Sequence, residues 1–209
     1  LSRLLLAYPQ LLRQLGEQEA DIVHAQLIGR LASHDGIEDQ RALMQLLRQC
    51  KNQLALLVAI ADITGAWTLE QVTGALSGFA ELCLMRAVDF LLQQAVRRGE
   101  ILLPESGSGI IVLGMGKLGG RELNYSSDID LIILFESAKL SYQGRHNEQH
   151  FMNKLAHDLV QLMQERTSDG YVFRTDLRLR PDPMSTPPMR NCSTCRRAAG
   201  RSRSISPSK

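Results

Sequence analysis

The stretch Gly114-Met115-Gly116-Lys117-Leu118-Gly119-Gly120-Arg121-Glu122-Leu123-Asn124-Tyr125-Ser126-Ser127-Asp128-Ile129-Asp130-Leu131-Ile132 decides the fold. Ile110-Ile111-Val112-Leu113 ahead of it reads as a buried strand, and Asp128 to Phe135 as a second, with a glycine-rich turn over Gly114 to Ser127. The first six residues of the turn satisfy G-x-G-x-x-G, the pattern of a dinucleotide-binding fold. That fold needs a full crossover helix before its next strand. Only eight residues, Gly120 to Ser127, separate the last glycine from Asp128, too few for that crossover. The P-loop pattern fails as well, because Leu118 follows Lys117 where Ser or Thr is required. What is left is a loop whose backbone can approach a triphosphate, through Gly114, Gly116, Gly119 and Gly120, with Lys117 placed to meet phosphate charge.

Side chains alternate faces along a strand, so Asp128 and Asp130 share one. Two carboxylates at the head of an apolar strand repel unless a cation neutralises them, and Mg²⁺ suits such oxygen donors. Tyr171 to Arg180 reads as a third strand, with Tyr171, Phe173, Thr175, Leu177 and Leu179 on a core face and Arg174, Asp176, Arg178 and Arg180 on a charged one. Laid beside the first pair, it would add Asp176 as a third carboxylate to a two-metal site for in-line nucleotidyl displacement, with its arginines against phosphate. The competing reading of these residues is a set of surface salt bridges.

Outward from this site the pattern is helical. Leucines and isoleucines recur at three- and four-residue spacing up to Leu31, and again from about Glu38 to Ile63. A third helix opens at Thr68-Leu69-Glu70 and runs to Arg97-Arg98-Gly99, and residues 147–168 are helical again. The expected fold is α+β: a helical bundle over 1–98, a nucleotidyltransferase domain with a small mixed sheet over 99–183, and a disordered basic tail over 184–209. The bundle reads as scaffold, with Met44 and Met85 at core positions and no metal-ligand spacing around His24 or His34.

Six basic residues and no acid lie in residues 189–209, which leaves the body of the chain net acidic and argues against a nucleic-acid surface on it. Apolar runs are too short for a membrane helix. Four scattered cysteines make no disulfide framework, so a reducing cytoplasm is the expected setting. Cys192 and Cys195 have metal-like spacing but no second pair.

The run from Gly114 to Ile132 resembles the signature of the glutamine synthetase adenylyltransferase family, and Asp176-Leu177-Arg178-Leu179-Arg180-Pro181 is similar to its second signature. The resemblance implies a nucleotidyltransferase of the DNA polymerase beta type, with Asp128, Asp130 and Asp176 as catalytic, Mg²⁺-binding carboxylates. The glycine-rich loop, Ser127, Arg178 and Arg180 would then face the nucleotide. Met115, Asn124 and Ile129 look more like the amino-terminal copy of the two in the family, which removes AMP from a tyrosine of glutamine synthetase with phosphate, giving ADP. The other copy adds AMP from ATP, and the balance responds to glutamine and the PII signalling protein. The resemblance fades after residue 183, and the chain reads as an internal fragment. A module that binds nucleotide or glutamine synthetase without turnover is the alternative.

Overall fold

The computed structural model describes residues 2–33, 36–102, 108–145, 147–179 and 187–191. Five helices come first: α1 (Ser2–Ala7), α2 (Pro9–Glu17), α3 (Ala20–Ala32), α4 (Gln40–Ile63) and α5 (Leu69–Arg97). Local signals set their ends. Asp39 opens α4 by accepting from the Ala42 N–H, and a reciprocal Thr68–Gln71 capping box opens α5. Gly65 and Gly99, both at positive φ, follow the last turns of α4 and α5. None of the described helices is long and apolar enough to cross a membrane.

The remainder comprises β1 (Ile101–Leu102), β2 (Ile110–Met115), α6 (Gly116–Gly119), β3 (Ile129–Phe135), β4 (Ser141–Tyr142), α7 (Glu148–Gln164), β5 (Thr175–Asp176) and β6 (Met189–Asn191). The architecture is α+β with a small mixed sheet, as expected. β2 runs antiparallel to β3, while β5 and β6 lie parallel to β3, one at each end of it. Along β3, Ile129, Leu131, Ile133 and Phe135 are buried, and Asp130, Ile132 and Leu134 occupy the other face. The apolar core is continuous from Leu11 to Met189, so helices and sheet share it.

Three expectations need correction. The third strand spans only Thr175–Asp176, not Tyr171 to Arg180. Before it, the Val172 and Phe173 N–H groups both donate to the Met163 carbonyl near the end of α7, which draws the backbone off the β3 ladder and buries both side chains. After it, the Arg178 N–H donates to the Asp176 carboxylate, and Leu179, assigned to the core, is 47% exposed. Arg180 lies outside the described residues, as do His34, Cys192 and Cys195. Second, Met189–Asn191 pair with Ile133–Phe135, although their composition put them in a disordered tail. Met189 is fully buried beside β3, a gain that composition does not register. Third, Met85 is 59% exposed, because α5 turns that side away from its neighbours.

One buried charge ties α4 to the end of α7 and the turn after it. Arg48 of α4 is fully buried and donates to four carbonyls: Met44 at 3.0 Å, Leu162 at 3.2 Å, Glu165 at 2.5 Å and Gly170 at 3.0 Å. Leu162 and Glu165 stand at the C-terminal end of α7, where carbonyls lack helical partners and the dipole favours a cation. Burial lowers the Arg48 pKa, and the charges of Glu165 and Asp169 partly oppose that. Asn52 donates to the Asp169 carbonyl at 3.0 Å, and the Lys51 ammonium sits 5.3 Å above the Tyr171 ring.

Arg48→Met therefore leaves the Leu162 and Glu165 carbonyls at the end of α7 without a partner. Chemical denaturation is expected to show a loss of about 3 kcal/mol or more, since each unsatisfied buried group costs roughly 1–3 kcal/mol. Lys51→Ala, which removes only a cation–π contact, should cost about 1 kcal/mol or less.

Candidate functional site

The register of β3 gathers the acidic residues. Asp130 lies opposite Met115 on one side and Asp176 on the other, and Asp128 immediately precedes the strand. A bond from the Ile129 N–H to the Arg174 carbonyl, 2.9 Å, closes the ladder at this end. Arg174 reaches back to the Asp128 carboxylate at 2.5 Å and to the Ser126 carbonyl at 3.1 Å. Arg178 grips Asp176 through Nε and Nη2, the shortest contact being 2.6 Å.

One guanidinium senses all three acids. The Arg178 pKa is raised, first by its hydrogen bond to Asp176 and that residue's charge, then by the charges of Asp130 and Asp128. Asp130 and Asp176 face each other in register, and Asp128 stands two residues before Asp130. They do not converge on one point, and among the described residues no group of three or more His, Cys, Asp or Glu side chains is arranged to hold a metal ion. The donors are the hard oxygens that Mg²⁺ takes. The Arg174–Asp128 pair is more than half exposed on both sides. Such pairs contribute only about 0–1 kcal/mol and exchange readily for another cation.

Gly114, Gly116 and Gly119 each have a steric reason, and that of Gly116 bears on an acid. Gly116 has φ +53, and a Cβ there would stand 3.0 Å from Asp130 Oδ2, so loop backbone lies directly against the carboxylate. A Cβ on Gly119 would come within 2.6 Å of the Gly114 carbonyl oxygen. The loop is the single turn α6 between antiparallel strands, which is unlike the helical crossover of a dinucleotide fold. Gly120 and Lys117 are exposed on it. Ser127 is half-buried, and its hydroxyl donates to Asn124 Oδ1 at 2.6 Å. The structure therefore brings Gly114, Gly116, Lys117, Gly119, Gly120 and Ser127 to the same end of β2 and β3 as Asp128, Asp130, Asp176 and Arg178.

Sequence reasoning missed what holds the loop after Gly120. Arg121, at φ 57, pairs with Glu81 of α5 at 3.1 Å. The Leu123 N–H donates to the hydroxyl of fully buried Ser77 at 3.2 Å, and the Tyr125 hydroxyl to Asp62 of α4 at 3.0 Å. Ser77 was the available signal, a lone hydroxyl on the otherwise apolar inner face of α5.

The family model of glutamate-ammonia ligase adenylyltransferase matches residues 1–197. Among curated proteins, the chain is 48% identical over 149 residues to a Bradyrhizobium bifunctional glutamine synthetase adenylyltransferase/adenylyl-removing enzyme, covering 69% of this chain and 15% of the relative. It is 45% identical over 160 residues to the Agrobacterium fabrum protein of the same name, covering 74% and 16%. The Rhizobium meliloti protein of that name is 46% identical over 150 residues, covering 69% and 15%. The chain thus spans about 15% of the length of the curated relatives it matches.

Two outcomes follow from the loop's geometry. Gly119→Ala should destabilise the fold by about 1–3 kcal/mol, the usual penalty for forcing atoms into filled space. Gly120→Ala should stay within about 0.5 kcal/mol, because its Cβ would meet nothing nearer than 3.5 Å. The Tyr125 pKa is pushed up to about 12 by burial, then by the hydrogen bond and charge of Asp62. A raised folded-state pKa means the contact contributes stability below about pH 10 that is lost as the pH rises through 12. In an alkaline absorbance titration, one tyrosine should ionise near pH 12, and Asp62→Asn should lower that step part of the way, since burial, the larger cause, remains.

Proposed function

The chain belongs to the glutamate-ammonia ligase adenylyltransferase family, and from that premise we propose that it carries an adenylyl-transfer site acting on a tyrosine of glutamine synthetase. The direction is removal of AMP by phosphate, with ADP as the product. The observation that carries this reading is the contact of loop and acid: Gly116 backbone against Asp130, with Asp176 alongside in register. That juxtaposition sets a phosphate-approaching loop over carboxylates, the arrangement nucleotidyl displacement requires. The catalytic unit is residues 99–183.

In this reading Asp128, Asp130 and Asp176 would hold Mg²⁺, which supplies neutralisation of charge on the phosphates. Backbone of the glycine loop and the exposed Lys117 take up phosphate oxygens of the nucleotide. Arg174 and Arg178 exchange their carboxylate partners for phosphate, to which a guanidinium binds in the same bidentate way. An oxygen of inorganic phosphate attacks the AMP phosphorus, the bond to the tyrosine oxygen breaks, and the tyrosine leaves as the phenol after taking up a proton. Atoms balance as ADP plus unmodified tyrosine.

The Arg174–Asp128 and Arg178–Asp176 pairs favour a second reading, a module that binds nucleotide or glutamine synthetase without turnover. One experiment separates the two. The chain is incubated with adenylylated glutamine synthetase, phosphate and Mg²⁺, and ADP is measured beside calorimetric binding of ADP. Phosphate-dependent ADP that falls to background in Asp128→Asn and Asp130→Asn, with circular dichroism unchanged, supports catalysis. Binding without ADP release supports the module, and ADP release unaffected by both substitutions removes these residues from the site.

A further inference from the structure

β2 and β3 are almost unbroken apolar runs, interrupted within the strands only by Gly114 and Asp130. Runs of that kind belong to strands covered on both faces, whereas a sheet with one face in water alternates apolar with polar residues. Here one face is covered: Ile129, Leu131, Ile133 and Phe135 are buried in the core shared with the helices. The other face presents Ile111, Leu113 and Met115 of β2, exposed by 39%, 42% and 36%, and the partly exposed Ile132 and Leu134 of β3. Cross-strand register joins them into one patch, with Ile111 opposite Leu134 and Leu113 opposite Ile132. At about 3.4 Å per residue, the row from Ile111 to Met115 is roughly 14 Å long. Scattered apolar side chains on a surface need no explanation, but a contiguous patch on paired strands marks an interaction surface.

The patch runs into the candidate site. Met115 lies opposite Asp130 at one end, within side-chain contact across the strands. At the other end Arg190 of β6 lies opposite Leu134, on the face away from buried Met189. Under the adenylyl-transfer reading the modified tyrosine belongs to another protein. Its phosphorus reaches Asp130 only if the polypeptide on either side of that tyrosine rests on the surface around the acids. On the β5 side this surface is charged, with Arg174 and Arg178 paired to Asp128 and Asp176. On the β2 side it is apolar and open, so apolar residues of an incoming segment gain by leaving water there, while a charged residue would be desolvated without a partner.

We infer that the open face of β2 and β3 is the docking surface for the segment of glutamine synthetase that carries the adenylylated tyrosine, with apolar residues beside the tyrosine seated on Ile111, Leu113 and Met115. The identity of the partner rests on the adenylyl-transfer reading, and the place of its segment rests on the register of β2 and β3.

Photoreactive p-benzoylphenylalanine is placed at position 113 and, in a separate chain, at position 22, where Ile22 is 48% exposed on α3. Each chain is irradiated with adenylylated glutamine synthetase, and the cross-linked peptides are identified by mass spectrometry. Position 113 should capture the peptide that contains the adenylylated tyrosine, and position 22 should not. No cross-link from position 113, a cross-link to another part of glutamine synthetase, or equal capture at both positions overturns the surface. A second arm combines Ile111→Ser with Leu113→Ser and follows phosphate-dependent ADP release from adenylylated glutamine synthetase and from the 4-nitrophenyl ester of AMP, which has no polypeptide. KM for the protein substrate should rise about tenfold or more, as truncation of central interface contacts does, while turnover of the ester is unchanged. An unchanged KM, or equal losses on both substrates, also overturns the surface. The two readings fail separately. An unaltered chain that releases no ADP from either substrate removes the catalytic reading while the cross-link still decides the surface, and ADP release without the cross-link removes the surface alone.

Discussion

Much of this structure hangs on a guanidinium with no carboxylate in its grip. Arg48 spends its donors on carbonyls of α4, α7 and the turn after α7. Burying a cation this way is tolerable because the Leu162 and Glu165 carbonyls it meets, at the end of α7, have no helical partner. The arrangement fixes the end of α7 against α4, and with it the tight turn in which Thr167 and Gly170 bond to each other. From that turn the chain runs in a few residues to Thr175 and Asp176. The position of the third carboxylate is thus set by a helix more than a hundred residues earlier in the sequence.

β3 turns that anchoring into a site. With side chains alternating along it, one face contributes apolar residues to the core and the other presents Asp130. Because β2 pairs on one edge and β5 on the other, the glycine loop and Asp176 arrive at the same end from opposite sides. A one-residue slip of β3 would send Asp130 into the core and Ile129 or Leu131 outward, an exchange of a buried apolar side chain for a buried charge. The hydrophobic pattern of Ile129 to Phe135 therefore protects the register on which the acidic cluster depends.

What could be read in the sequence follows from the range of the interactions. Helices α3, α4, α5 and α7 announce themselves through apolar periodicity and caps, which are local. So does the short glycine turn, since eight residues leave no room for a crossover. Arg48 was invisible in this sense: its partners Leu162, Glu165 and Gly170 are remote, and an arginine in a helix reads as surface. The two-residue strands β1, β4 and β5 have no period to display and exist only through pairing. Alternation over Tyr171 to Arg180 suggested a long strand, but the Met163 carbonyl takes the N–H groups of Val172 and Phe173, and a local pattern cannot foresee that competition. Met189 shows the reverse error. Its neighbours have the composition of a tail, while a slot beside Ile133 has room for its side chain.

The helical half, read from sequence as scaffold, takes part in building the candidate site. The segment from Gly120 to Ser127 joins two antiparallel strands and has no ladder of its own. Ordering each such residue costs about 1–2 kcal/mol of backbone entropy, which a loop in water would not recover. Ser77, Glu81 and Asp62 offset that cost at three points spaced along it, through Leu123, Arg121 and Tyr125. The three are unequal. The Ser77 bond is buried, and its loss would strand the Leu123 N–H, whereas the Arg121–Glu81 and Tyr125–Asp62 contacts are exposed and individually weak. The buried bond fixes where the loop sits, and the exposed ones fix how far it can move. Motion of α4 or α5 relative to the sheet would accordingly be felt first at Arg121 and Tyr125, on either side of the anchored Leu123 and a few residues from the first aspartate.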